Sequence, residues 1–266
     1  MELTKQQHKE VYKDNFADYL LCLALDIGEG MLKHGAEIAR VENTIERICY
    51  AYGAAHVECF SILSMIQAAV RMPNGEYSTQ LRRLRSNTVN LHTLEALNAL
   101  SREICKTTPP LPEVEARIRE AKRNSPYSKG VRMIASAVTT GTFCLLFDGK
   151  VIDAVVTAII GLIVFTIGAA TSPRVNPLIK TLFSSFVVAL LTGASMLVGI
   201  GQTPEAIIAG SIMILVPGVA FCTAIQDLFA GDLLAGTLKT VQAFLCALMI
   251  AFGYVVAKSM LGGVSI

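Results

Sequence analysis

The pattern of hydrophobic positions divides the chain near residue 130. Before that point apolar residues recur at three- and four-residue steps or alternate with polar ones, which is typical of amphipathic helices and half-buried strands. After it, long apolar runs follow one another with charges only between them, which is typical of a membrane domain. We therefore predict an α+β N-terminal domain at residues 1–130 and an all-α membrane domain at residues 131–266.

The N-terminal half predicts a helix pair, a small antiparallel sheet and a second helix pair. Helical steps run through Phe16–Met31 and along a stripe from Ile38 to Tyr52, with Gly35 suited to end the first helix. The period then changes to two, and three segments predict strands: Val57–Ile62, Met65–Met72 and Tyr77–Leu84. The second pair of helices is predicted at Thr88–Lys106 and Pro112–Asn124.

The second half predicts five membrane helices, most of them close to the length that spans a bilayer. The apolar stretches are Val131–Phe147, Val151–Ala170, Thr181–Ile200, Ala206–Ile225 and Thr240–Met260. Small residues at four-residue steps, such as Ala154 and Ala158, favour close contact between these helices. The fourth stretch is interrupted by Pro217-Gly218, and a proline inside a helix removes a backbone donor.

Charge is distributed as unevenly as hydrophobicity. Residues 1–132 carry 18 Lys/Arg and 16 Asp/Glu, whereas residues 133–266 carry five of each. The net charge of +2, with acids interleaved among the bases, gives no reason to expect a nucleic-acid partner. The seven cysteines form no CxxC pair, and the four histidines form no HExxH, so we expect neither a metal nor a cofactor.

The broken fourth stretch is the strongest candidate for a transport site. Asp227 and Asp232 follow the break and are two of the five acidic residues in the second half. Backbone freed at Pro217-Gly218, together with scarce acids, is the pattern of a substrate or proton site within a membrane. The alternative is a proline kink that only packs, with both acids in a solvated loop. Gly231 lies between the two acids and would let the chain turn and bring them together.

Basic residues between the stretches predict the orientation. Lys129, Arg132, Arg174, Lys180 and Lys239 would lie on one side, against Lys150 and Lys258 on the other. The positive-inside rule then places the N-terminal domain in the cytoplasm, and five crossings place the C-terminus outside. The irregular segment with Arg174 and Asn176 is a candidate contact for an anionic group; the alternative is a positively charged loop that only fixes topology.

Taken together, several segments resemble the threonine/serine exporter family over nearly the whole chain. In the first half they are His34-Gly35-Ala36, Arg40-Val41-Glu42, Thr44, Asn90-Leu91 and Leu94. In the second half they are Leu215-Val216-Pro217-Gly218, Asp227, Gly231, Asp232 and Gly236. Among them we take His34, Arg40, Glu42 and Asn90 as a candidate functional cluster of the cytoplasmic domain.

The resemblance implies an exporter of a small polar metabolite in the bacterial inner membrane. Coupling to the proton gradient is a separate hypothesis, because a carboxylate at the membrane boundary such as Asp227 is a suitable proton carrier. Full-length family members carry a second membrane block, so this chain is similar to the large subunit of a split form. In that form a short all-helical membrane partner supplies the missing helices, and the substrate is either threonine/serine or a dicarboxylate such as succinate. Assembly of several copies is left open. The competing readings are a membrane-anchored enzyme and a metabolite-sensing scaffold, both acting through the N-terminal domain.

Overall fold

A computed structural model describes residues 15–84, 89–123, 127–172 and 175–262. Within them the chain forms two compact units. The first comprises the described residues before Pro126 together with Val219–Thr240. The second comprises Tyr127–Gly218 and the described residues from Val241 onward. This division follows contacts, so the predicted boundary at residue 130 between a cytoplasmic and a membrane domain stays a prediction.

The first unit has the predicted order of helix pair, three-stranded sheet and helix pair. Its elements are α1 (Phe16–Lys33), α2 (Ile38–Ala51), β1 (His56–Ile62), β2 (Met65–Arg71), β3 (Tyr77–Arg83), α3 (Leu91–Thr107) and α4 (Leu111–Arg123). The sheet is antiparallel in the order β1-β2-β3, with Val57 opposite Val70 and Ala68 opposite Gln80. The predicted small antiparallel sheet is confirmed.

Helix α1 lies at the centre of the first unit rather than on its surface. It packs against α2, α3, α4 and the sheet, and Leu20, Leu21, Leu25 and Ile27 are completely buried. The predicted amphipathic stripe is thus only part of its buried surface, because partners cover several sides of the helix. Asp18 of this helix accepts a hydrogen bond from the hydroxyl group of Ser78 in β3 and thus links the helix to the sheet.

The second unit is helical in its described part. Its elements are α5 (Lys129–Leu146), α6 (Val151–Ala170), α7 (Pro177–Leu197) and α8 (Pro204–Ile212). Small residues let α5 and α6 approach closely, as predicted: a side chain at Gly141 would lie 3.1 Å from the Ala154 carbonyl oxygen and 3.6 Å from the Ala158 Cβ. Ser136 and Thr140 of α5 bond to carbonyl groups of α6, so the buried polar groups are satisfied.

Two further helices follow, α9 (Gly218–Ala230) and α10 (Leu233–Met260). The prediction of five membrane helices is not confirmed. Three of the described helices, α6, α7 and α10, are long and apolar enough to cross a bilayer. Helix α5 is not among them, and the fourth stretch forms the short helices α8 and α9 on either side of its break. The last helix also begins seven residues before the predicted Thr240, so that Lys239 is part of it.

Candidate functional site

Asp227 of α9 is completely buried in the first unit. Its Oδ1 accepts a hydrogen bond from the backbone N–H of Ile38, at 3.0 Å. Ile38 is the first residue of α2, and the side chain of the preceding Glu37 makes no capping bond. The first turn of a helix has free N–H groups and a partial positive charge, so a carboxylate placed there is stabilised. Asp227 therefore caps α2 from a position 189 residues away.

Lys239 of α10 completes the environment of this carboxylate. Its Nζ lies 2.5 Å from Oδ2 of Asp227 and donates a hydrogen bond to the carbonyl oxygen of Ala36, at 3.3 Å. The Lys239 side chain is only 9% exposed. Among the described residues Oδ2 has no polar partner besides this ammonium group, which neutralises its charge. The two side chains form a buried ion pair, which is costly to break by removing one partner.

The turn between α9 and α10 brings Asp227 and Lys239 together. Gly231 has a φ of +93°, a conformation that glycine adopts without strain, and the N–H of Asp232 then bonds to the carbonyl oxygen of Asp227 at 2.9 Å. A side chain at Gly236 would lie 2.9 Å from the backbone nitrogen of Leu228, so only glycine permits this approach of the two helices. The chain turns at Gly231 as predicted, whereas an approach of the carboxylates of Asp227 and Asp232 stays a prediction.

Asp232 follows this turn, and its negative charge affects the pKa of Glu42. Oε1 of Glu42 accepts the N–H of Ser61 at 2.5 Å. Partial burial raises the pKa of Glu42 to about 6, although the hydrogen bond from Ser61 opposes the change; the negative charges of Asp232 and Glu46 add to it. Burial is thus the main reason that the pKa of Glu42 lies above its ordinary value, and the charge of Asp232 contributes to it.

The predicted cluster of the N-terminal domain is only partly assembled. Asn90 caps α3 through its side chain, and its backbone N–H reaches the carbonyl oxygen of His34 at 3.4 Å. Arg40 is half exposed and pairs with Glu37 at 3.4 Å. His34 lies two residues before Ala36, in the loop that Lys239 contacts. Of the residues that carry the family resemblance, Ala36 and Asp227 thus lie at the start of α2.

Pro217 and Gly218 belong to the second unit and mark its predicted break. Helix α8 ends at Ile212, Leu215 donates to the Ile212 carbonyl oxygen at 2.7 Å, and the helix resumes at Gly218. The interruption is therefore a turn of several residues rather than a kink at one position. Its backbone groups are available for partners other than a helix ladder.

The candidate anion contact falls partly outside the described residues, because Arg174 is not among them. Asn176 is described: its side chain accepts the N–H of Leu178 at 2.9 Å and caps α7. The nearby Lys180 donates to the carbonyl oxygen of Thr171. An anion contact at this segment stays a prediction.

Sequence reasoning missed two polar residues that the structure uses. Lys239 was treated only as a charge that fixes orientation, whereas it is buried and paired with Asp227. Asp153 of the second unit is also fully buried and accepts the N–H groups of Lys150 and Gln202, at 3.1 and 2.7 Å. The signal for Asp153 was its place three residues after Lys150, where an acid can bond back to the start of a helix. Among the described residues no group of three metal-ligating side chains is assembled.

The comparisons with known proteins agree on a transporter family. The chain is 27% identical over 234 residues to the "Probable succinate transporter subunit YjjP" of Klebsiella aerogenes, covering 87% of this chain and 90% of that protein. It is 25% identical over 242 residues to the protein of the same name in Escherichia coli K12, covering 90% and 94% of the two chains.

A longer relative and the family comparison complete this result. The "Probable threonine/serine exporter" of Mycobacterium tuberculosis is 22% identical over 241 residues, which are 90% of this chain and 45% of that protein. No solved structure matches. The sequence model of the threonine/serine exporter family matches residues 22–261. The chain therefore belongs to the threonine/serine exporter family of membrane transporters.

Proposed function

We propose that the chain is one subunit of a proton-coupled exporter of a small polar metabolite, either an amino acid such as threonine or serine or a dicarboxylate such as succinate. The observation that carries the proposal is the buried pair of Asp227 and Lys239. The names of the relatives support export, and they support both substrate classes.

The pair has the chemistry that both substrate classes require. The ammonium group of a threonine or serine substrate competes with Lys239 for Asp227, and a carboxylate of a dicarboxylate competes with Asp227 for Lys239. In each case the substrate replaces one partner without leaving the other as an isolated buried charge, which would be costly. The site is thus closed by its own ion pair until a charged substrate replaces one member.

Proton coupling follows from the same pair. A proton on Asp227 removes the attraction to Lys239 and frees the ammonium group for an anionic substrate. Asp232 is proposed as a further contact in the first unit, where its negative charge contributes to the raised pKa of Glu42. The Pro217-Gly218 turn of the second unit is proposed as a substrate contact in its own right. Since Asp227 bonds to Ile38, the segment from Asp227 to Lys239 and the N-terminal helices share one side of the membrane, proposed to be the cytoplasm, with the C-terminus outside.

We infer that a short all-helical membrane subunit completes the transporter. The YjjP relatives are called subunits and are matched over at least 90% of their length. The mycobacterial exporter is matched over 45%, so a single longer chain there carries a further block of its own. The proposed partner would supply the equivalent of that block, and a homo-oligomer of the pair is compatible with this assembly.

The first test is flux through liposomes that contain the chain with and without any short membrane protein encoded beside it. Labelled threonine, serine and succinate are followed under an imposed pH gradient. Gradient-driven movement of one label, present only with the partner, is the expected result. A folded complex that moves none of the three labels would contradict the proposal.

The second test separates proton coupling from substrate binding at Asp227. Asp227→Asn keeps an oxygen for the Ile38 N–H but removes the negative charge and the carboxylate that could carry a proton. For a dicarboxylate substrate we expect the variant to retain label exchange at equal pH and to lose gradient-driven accumulation. For an amino-acid substrate that binds the carboxylate, both are lost. Flux is normalised to folded protein, and unchanged gradient-driven flux would remove Asp227 from the mechanism.

A further inference from the structure

Helices α2 and α3 enclose a groove of about 480 Å³ on the face of the first unit that carries Arg40. Its lining comes from one face of each helix, since the later positions on each lie three, four, seven or eight residues after the first one. The residues are Arg40, Asn43, Thr44, Arg47, Asn98, Ser101, Arg102, Cys105 and Lys106. The groove thus has a volume typical of small-molecule sites.

The lining is strongly positive. It contains three arginines and a lysine and no carboxylate. Among the described residues no ion pair or hydrogen bond is formed by the side chains of Arg47, Arg102 or Lys106, whereas Arg40 pairs with Glu37 outside the groove. Arg102 and Lys106 are one helical turn apart, an arrangement in which like charges destabilise a helix. The fold therefore maintains positive charge here without a protein counterion.

The base of the groove is polar as well as closed. Thr44 and Ser101 are 9% and 5% exposed, and the Ser101 hydroxyl donates to the carbonyl oxygen of Asn98 at 2.8 Å. The amides of Asn43 and Asn98 add further donors along the walls. The cations therefore surround a concave site with buried hydroxyl groups at its base. A flat basic surface would be sufficient to attract an anionic membrane.

The chemistry of the cations indicates the ligand. Arg47 of α2 and Arg102 of α3 line the groove from different helices. Guanidinium groups bind carboxylates and phosphates through two parallel hydrogen bonds. The acids that lie nearest on α3 are Glu95 and Glu103, on its adjacent face beside Arg102 and Lys106, and Glu103 pairs with Arg117. The groove itself stays positive and fits two anionic groups on one small molecule.

We propose that this groove binds a soluble metabolite with two anionic groups, of which a dicarboxylate is the simplest, at a site separate from Asp227. The inference does not depend on the proposed transport function, because binding is measured without flux. An exporter subunit with such a site would sense or collect its anion on the side of the membrane where the first unit lies.

The test is calorimetric titration of succinate into the full-length protein in phosphatidylcholine nanodiscs at low ionic strength, with uncharged succinamide as the ligand control. The groove variant combines Arg47→Gln and Arg102→Gln. The matched control combines Arg71→Gln and Arg83→Gln, which removes the same charge from exposed positions of β2 and β3. Circular dichroism verifies that both variants are folded.

We expect saturable binding of succinate, with one site per chain in the groove, and no binding of succinamide. The groove variant should weaken succinate binding about tenfold or more, since each lost contact is a hydrogen bond to a charged group. The control variant should leave it unchanged. Equal affinities of the groove and control variants, or no binding by the wild type, would overturn the proposal.

A lipid headgroup is the rival ligand for a basic groove. The titration is repeated in phosphatidylglycerol nanodiscs. Retained succinate affinity supports a soluble dianion. Affinity that falls to the level of the groove variant, in the wild type and the control variant alike, would assign the groove to anionic lipid instead. Flux through Asp227→Asn tests the transport proposal, whereas succinate binding by the groove variant tests this one, so failure of either proposal gives a different result.

Discussion

Removing one member of the Asp227–Lys239 pair should destabilise the first unit strongly. In Lys239→Met the carboxylate stays buried without its cation, and in Asp227→Asn the ammonium group stays buried without its anion. Both side chains are almost fully enclosed, with exposed fractions of 0% and 9%. Each single change is therefore expected to cost about 3–5 kcal/mol, the range for a buried ion pair that loses one partner.

The double variant separates this pairing energy from the loss of two polar groups. With asparagine and methionine together, no charge is left in the site, and the asparagine oxygen still accepts the Ile38 N–H. The double variant should then cost less than the sum of the single changes, by about 2 kcal/mol or more.

Hydrogen exchange followed by mass spectrometry is the suitable assay, because it reports on the start of α2 locally. The chain has no tryptophan, so fluorescence of that residue is not an alternative. A peptide containing Ile38 should exchange much faster in the single variants than in the double variant. The matched control is Glu103→Gln, which breaks the exposed pair with Arg117 and should change exchange at Ile38 little. Additive effects, or single variants as protected as the wild type, would refute the reasoning.

Two further predictions concern other parts of the structure. The pKa of Glu42 rises from 4.5 to about 6 on folding, so between these pH values the folded state binds more protons than the unfolded state. The free energy of unfolding should therefore fall as the pH rises from 4.5 to 6. Urea titrations at stepped pH measure this dependence, and Glu42→Gln should flatten it. Gly253→Ala would overlap the carbonyl oxygen of Leu182 between α10 and α7 and should cost about 1–3 kcal/mol. A Cβ at Gly168 meets no atom within 4 Å, so Gly168→Ala should be neutral or stabilising. If Gly168→Ala had a lower thermal midpoint than Gly253→Ala, both predictions would be contradicted.

Local patterns in the sequence were sufficient to predict most of the first unit. The change of period after residue 53 located the strands to within a residue at most ends, because alternation and helical spacing are properties of neighbouring positions. Gly35 was identified for the same reason, since a left-handed helix end involves only a few neighbouring residues.

The site depended on contacts that no local pattern encodes. Asp227 was found because acids are scarce in an apolar region, but its partners Ile38 and Lys239 follow from the tertiary fold. Lys239 also lies inside a helix predicted to begin one residue after it, so its charge was assigned to a loop. In the fourth stretch, hydropathy alone did not distinguish one broken crossing from two short helices.

The cap that Asp227 provides for α2 has a consequence for how the protein is made. Residues 36–38 leave the ribosome long before Asp227 and Lys239 exist, and at 5–20 residues per second the separation of 189 residues amounts to about 10–40 s. During that interval the start of α2 must be held by water or by a chaperone. A fragment that stops near residue 126 would remain in that state permanently, so the earliest part of the chain reaches its final form only after most of the membrane helices have been synthesised.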